Sequence, residues 1–194
     1  MNALRTFAAA SLLSVVAQAA LAAPVPFAGS LAAADPIYNR TLAGNPPGGL
    51  SGVGTAVSYD VYGFTVTANG SYLMETLSAA FISGTADDTF ITVYQNIFNP
   101  LAPLTNALQA DDDNGPGALS TITRSLNTGV NYFLVVTSFA NNQFGPYTGR
   151  FDTVTGDGQV IVGGAPGAVP EPSVLMLLPL ALAGLALSRK RRAA

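Results

Sequence analysis

The chain predicts an all-β protein, an antiparallel β-sandwich of jelly-roll-like type, on three observations. Six segments of 6 to 10 residues are rich in β-branched and aromatic side chains, and several of them alternate in polarity at period two. Turn residues separate them. Between residues 23 and 170 no stretch repeats its apolar positions at the helical period.

Taken in order, residues 1–22 read as a secretory signal peptide. Arg5 supplies the charged start, an apolar stretch follows, and Ala20, Ala22 and Ala23 frame a small-residue cleavage site, with the cut after Ala22. Signal peptidase is therefore an expected partner. Residues 23–56 hold a further candidate strand at 27–31 and then a loop rich in Gly44, Pro46, Pro47, Gly48 and Gly49.

The sandwich domain is expected over residues 57–154. Its first strand places Tyr62, Phe64 and Val66 on one face, and Asn69-Gly70 fits a type I′ turn, so residues 57–77 read as a hairpin. Residues 89–94 alternate again, with Ile91 and Val93 opposite Phe90 and the threonines. A Pro-containing connection and an acidic loop lead to residues 118–126, where Ser120, Ile122 and Arg124 share a face. Residues 131–139 are the most apolar strand and the expected centre of a sheet. Residues 146–154 close the set, and residues 155–169 read as a flexible Gly/Ala/Pro linker.

The tail, residues 170–194, has three parts. Val169, Pro170, Glu171 and Pro172 precede an apolar run at 174–187 and then Arg189, Lys190, Arg191 and Arg192. Read as a helix, residues 174–188 span roughly 22 Å at ~1.5 Å per residue, short of the ~30 Å hydrocarbon core. They are apolar on every side, which suits a short C-terminal transmembrane helix with its basic end in the cytosol.

The three parts in this order resemble the PEP-CTERM sorting signal of Gram-negative, exopolysaccharide-producing bacteria. The resemblance implies an exported protein, an inner-membrane-anchored precursor, processing by an exosortase at the Pro-Glu-Pro motif, and delivery to the cell surface or extracellular matrix. Exopolysaccharide is the implied partner there. An ordinary unprocessed membrane anchor is the alternative.

Charge and residue inventory narrow the function. Between the signal peptide and the apolar tail, eleven acids face Arg40, Arg124 and Arg150, a formal charge of −8. Such a domain repels phosphate backbones, so no nucleic-acid partner is expected. The chain has no cysteine and no histidine, and Lys190 is its only lysine. Thiol catalysis, His-based triads and His-ligated zinc are excluded, leaving carboxylate pairs as the sole acid/base option, and an enzyme is not expected.

Residues 59–154 also resemble the bacterial pre-peptidase C-terminal domain, a calcium-associated β-sandwich. Five stretches carry the likeness: 59–66, the Asp-Thr-Phe-Ile-Thr-Val-Tyr stretch at 88–94, the acidic loop Asp111-Asp112-Asp113-Asn114-Gly115, the Gly-turn strand at 126–136, and the closing Gly145-Pro146-Tyr147-Thr148. Asp87, Asp88, Asp111, Asp112 and Asp113 are the candidate ligands of a calcium ion, which takes six to eight hard oxygens. The carboxylates are contiguous and no Glu closes the loop, so a solvated loop tip is the competing reading. Six tyrosines suggest a sugar-stacking platform or, more simply, core and cross-strand partners. The leading expectation is a non-catalytic surface or matrix protein; the alternative is a calcium-dependent carbohydrate-binding or adhesion module.

Overall fold

The computed structural model describes residues 22–163. The signal-peptide residues up to Leu21, Ala20 among them, the Val169–Pro172 motif and the expected transmembrane segment lie outside the described residues. Ala22 is half-buried and Ala23 exposed, just ahead of the first strand.

Ten strands make up the described chain: β1 (Val25–Leu31), β2 (Ile37–Tyr38), β3 (Val57–Val66), β4 (Gly70–Ala79), β5 (Thr89–Gln95), β6 (Ala107–Asp111), β7 (Thr121–Leu126), β8 (Tyr132–Ser138), β9 (Gly145–Thr155) and β10 (Val160–Val162). Every pairing is antiparallel. They form two sheets, β1-β9-β4-β7 and β10-β3-β8-β5-β6, with β2 added beside β3. The all-β antiparallel sandwich is the class expected, and among the described residues no helix occurs.

The six strands read from periodicity all form. β8 takes the middle of its sheet, between β3 and β5. The hairpin over residues 57–77 does not form: β3 pairs with β8, whereas β4 pairs with β7 and β9 in the other sheet. Asn69 and Gly70 instead lie where the chain crosses between sheets, and neither adopts a positive φ. The reason is burial. Phe64 and Val66 of β3 and Tyr72 and Met74 of β4 belong to one buried cluster, which facing sheets bury more completely than adjacent strands of one sheet do. A second difference falls in the stretch read as linker, where Val160 is buried and pairs with Val66.

β5 and β8 are buried on both sides. Their inner residues Ile91, Val93, Leu134 and Val136 join the main core, whereas Tyr94 and Val135 face a second cluster with Tyr38 and Val57. The Gly/Pro-rich segment after β1 therefore works as a cover over the outer face of this sheet, with Arg40 and Thr41 buried beneath it.

Hydrogen bonds also join the sheets. The buried Tyr147 hydroxyl of β9 donates to Asp60 Oδ2 of β3 at 2.6 Å and lies 2.8 Å from the Tyr62 hydroxyl. Burial and the Asp60 neighbour push this phenol far above its ordinary range, so it remains a donor. A side chain at Gly29 would collide with the same hydroxyl, which accounts for glycine there.

Tyr147→Phe leaves Asp60 without its donor and is expected to lower the unfolding free energy by about 1–3 kcal/mol. Tyr62→Phe keeps the Tyr147–Asp60 bond and should cost less. Urea unfolding followed by circular dichroism compares the two.

Candidate metal centre

The acids converge because of strand register. β5 and β6 are antiparallel neighbours with Ile91 opposite Asp111. The residues just before β5 and just after β6 therefore leave the sheet at the same end. Asp88, Asp112 and Asp113 bring one carboxylate oxygen each to within 4.8 Å of one another. Asp88 and Asp112 are half-buried, and Asp113 is exposed.

The five expected ligands do not act alike. Asp111 is buried and its oxygens are occupied: Oδ2 accepts from the Thr121 backbone N–H at 2.7 Å and the Asn114 N–H at 3.2 Å, and Oδ1 accepts from the Asn114 side-chain amide. It shapes the loop rather than facing its two neighbours' shared space. Asp87 lies outside the three-carboxylate group, beside Gly117, where an added Cβ would fall 2.7 Å from its Oδ2. Gly117 has φ of +70°, so both conformation and space favour glycine.

Asp112 Oδ1 is a buried oxygen without a hydrogen-bond partner. An orphaned carboxylate oxygen is costly unless a cation or a proton meets it. Burial, reinforced by the charges of Asp113 and Asp88, pushes the Asp112 carboxyl up to about 6, with Arg40 opposing the shift. Burial and Asp113 raise Asp88 in the same way.

Composition gave no hint of Arg40's place. Its guanidinium is buried, donating from Nε to Phe139 O at 2.8 Å and from Nη1 to Thr41 O at 3.0 Å. It stacks 4.0 Å from the Phe90 ring centroid and 4.6 Å from that of Phe139. Burial lowers its pKa, and the nearby charges of Asp112 and Asp88 counter that effect. A single guanidinium already held by two carbonyls leaves most of the negative charge of three carboxylates unbalanced. The donor set, hard oxygens on a turn with one oxygen unpaired, fits a calcium ion better than a softer metal.

Behind the carboxylates lies a buried hydroxyl cluster that the strand patterns did not reveal. Thr76 of β4, Thr89 of β5 and Ser120 ahead of β7 join through contacts of 2.8 and 3.1 Å, and the Ser120 hydroxyl donates to Thr89 O at 2.8 Å. This cluster ties the acidic loop to both sheets.

Other acids are engaged elsewhere. Glu75 accepts from Arg150 Nε at 2.7 Å, and Asp60 holds Tyr147. Arg124 binds Asn45 Oδ1 and Leu108 O instead of a carboxylate. All seven tyrosines are buried or half-buried and none of the phenylalanines among the described residues is exposed, so the rings serve packing there.

No protein-family model matches the chain, and no curated protein matches it. Among solved structures, the CBM35 from Cellvibrio japonicus Abf62 aligns with a TM-score of 0.32 and 18% identity, covering 72% of this chain and 99% of that one. At that similarity neither a ligand nor a site passes from one protein to the other.

The raised Asp112 pKa has a signed consequence. In the fold this group keeps its proton up to about pH 6, whereas an unfolded Asp releases it near ~3.9. Between those values the folded state binds more protons, so stability falls as pH rises. In chelator, unfolding free energy is expected to decline from pH 4 to pH 7, and Asp112→Asn to flatten that decline; denaturant titrations at each pH read it out.

Proposed function

We propose that this chain is a non-catalytic, exported surface or extracellular-matrix protein whose jelly-roll-like sandwich is completed by a calcium ion at one end. The convergence of Asp88, Asp112 and Asp113 from two separate segments is the observation that carries the cation reading. Asp112 Oδ1 would supply one ligand, and carboxylate oxygens of Asp88 and Asp113 two more. The ion would neutralise the mutual repulsion of these groups and hold the β6–β7 loop against the start of β5. The jelly-roll reading is supported by the strand orders β1-β9-β4-β7 and β3-β8-β5-β6, in which all but one step of the chain from β3 onward crosses between sheets.

A non-catalytic role is supported by the residue inventory, without histidine or cysteine, and by the engagement of Glu75 and Asp60 in structural bonds. Export and exosortase sorting rest on the signal peptide and the Pro170-Glu171-Pro172 tail in the sequence. Association with exopolysaccharide follows from that sorting reading alone. Carbohydrate capture by aromatic stacking draws no support from the described rings, which are not exposed.

Calcium titration in a thermal melt tests the ion. Millimolar or lower calcium is expected to raise the melting temperature, and the double substitution Asp88→Asn with Asp112→Asn to abolish the increase; identical melts in calcium and in chelator would remove the site. Replacing Pro170, Glu171 and Pro172 together by alanine should leave the full-length chain in the inner membrane. The native sequence should appear, shortened, at the surface or in the medium. Immunoblots of fractionated host cells distinguish these outcomes.

A further inference from the structure

The end of the sandwich opposite the acids is built differently. Between Asp88 and Asp111 the sequence carries no charged residue over 22 positions. At the far end of β5 and β6 this stretch makes a loop, residues 96–106, in which Ile97, Leu101 and Leu104 are 59%, 93% and 43% exposed.

The loop is not a slack connection. Asn96 and Asn106 flank it with φ of 65° and 63°, a conformation asparagine tolerates better than most residues. Gln95 N donates to Asn106 O across its base at 3.0 Å, and Asn96 N donates to Asn131 O at 2.7 Å. Within it Ala102 N donates to Asn99 O, Thr105 N to Ala102 O, and Leu101 N to Asn99 Oδ1. Phe98 packs inward against Tyr38, Tyr59 and Tyr94, and Pro103 is buried. The loop thus holds its shape while presenting Leu101 almost wholly to solvent, an arrangement that costs hydration free energy unless something covers it.

We infer that the tip formed by Ile97, Leu101 and Leu104 inserts into the surface of the bilayer to which the chain's own tail is anchored. This rests on the reading of the tail as a membrane segment. Ten residues separate Gly163 from Val174, the start of the apolar run, a reach of at most roughly 40 Å when fully extended. The sandwich is therefore kept beside the lipid. A convex, uncharged tip suits a yielding apolar phase better than a second folded surface. Its orientation also suits an anionic membrane. The Asp88–Asp112–Asp113 group lies at the other end of β5, a strand of seven residues and so about 20 Å away at ~3.3 Å per residue, beyond the ~8 Å screening length of physiological salt.

The absence of native cysteine makes single-site probes clean. Chains with the tail intact and either Leu101→Cys or Thr85→Cys would carry an environment-sensitive fluorophore. They would be reconstituted into vesicles of phosphatidylethanolamine and phosphatidylglycerol containing shallow nitroxide lipids. Thr85 is exposed at the acidic end and serves as the water-facing reference. The expected result is a blue shift and loss of most emission at position 101, with position 85 unchanged. In a Leu104→Cys chain, adding Leu101→Asp should return quenching to the level of the Thr85 probe. Co-flotation with the vesicles but equal, unquenched emission at both positions would overturn the inference while leaving the anchor intact. Failure to float would overturn the anchor reading and this inference with it. A blue shift that appears without vesicles and grows with protein concentration would point to a second copy instead, and would likewise overturn it.

Discussion

The Thr89 hydroxyl is the contact on which the acidic end of this molecule depends. It lies 2.8 Å from the Thr76 hydroxyl and 3.1 Å from that of Ser120, and it accepts the Ser120 backbone N–H at 3.0 Å. Thr76 and the Ser120 segment belong to one sheet and Thr89 to the other. This buried oxygen therefore bridges the two layers one residue from Asp88. Its bonds are short and shielded from water, which makes leaving any of them unmade expensive. With no cysteine in the chain, such polar joints and the apolar core take the place of covalent staples. Tyr147 makes the second joint, through Asp60 and Tyr62.

Charge is distributed along the strands with the same economy. Acids gather where β5 begins and β6 ends, and the loop at the other end of those strands has none. Arg40 sits beside the carboxylates, between two aromatic faces and two backbone carbonyls, so that its planar group is held in place without closing on any one acid. The arrangement leaves Asp112 Oδ1 unpaired. A proton at low pH or a divalent cation at neutral pH would relieve that same strain, which makes acidity and cation supply competing influences on one loop.

The strands themselves were largely readable from the chain. Alternation and turn signals marked β3, β4, β5, β7 and β9, and the continuous apolar character of β8 marked it and its central place. Short elements escaped for physical reasons. β2 and β10, of two and three residues, are too brief to show a period, and β6 follows a run of turns. The Asn69-Gly70 pair misled because local turn chemistry describes what a dipeptide tolerates, not which sheet the next strand will join.

At the candidate site the acids were visible as a run, and their chemistry as hard-oxygen donors followed from residue type. Residue type and period depend only on neighbours along the chain, so most strand identities, the overall charge and the absence of histidine and cysteine were all determined there. Which aspartates meet, that Asp111 turns to Thr121 and Asn114 while Asp88 comes over from another segment, and that Arg40 lies buried beside them, were decided only by the folded structure. Those outcomes depend on the register of β5 against β6 and on the cover laid over the sheet, both set by contacts between residues far apart in sequence.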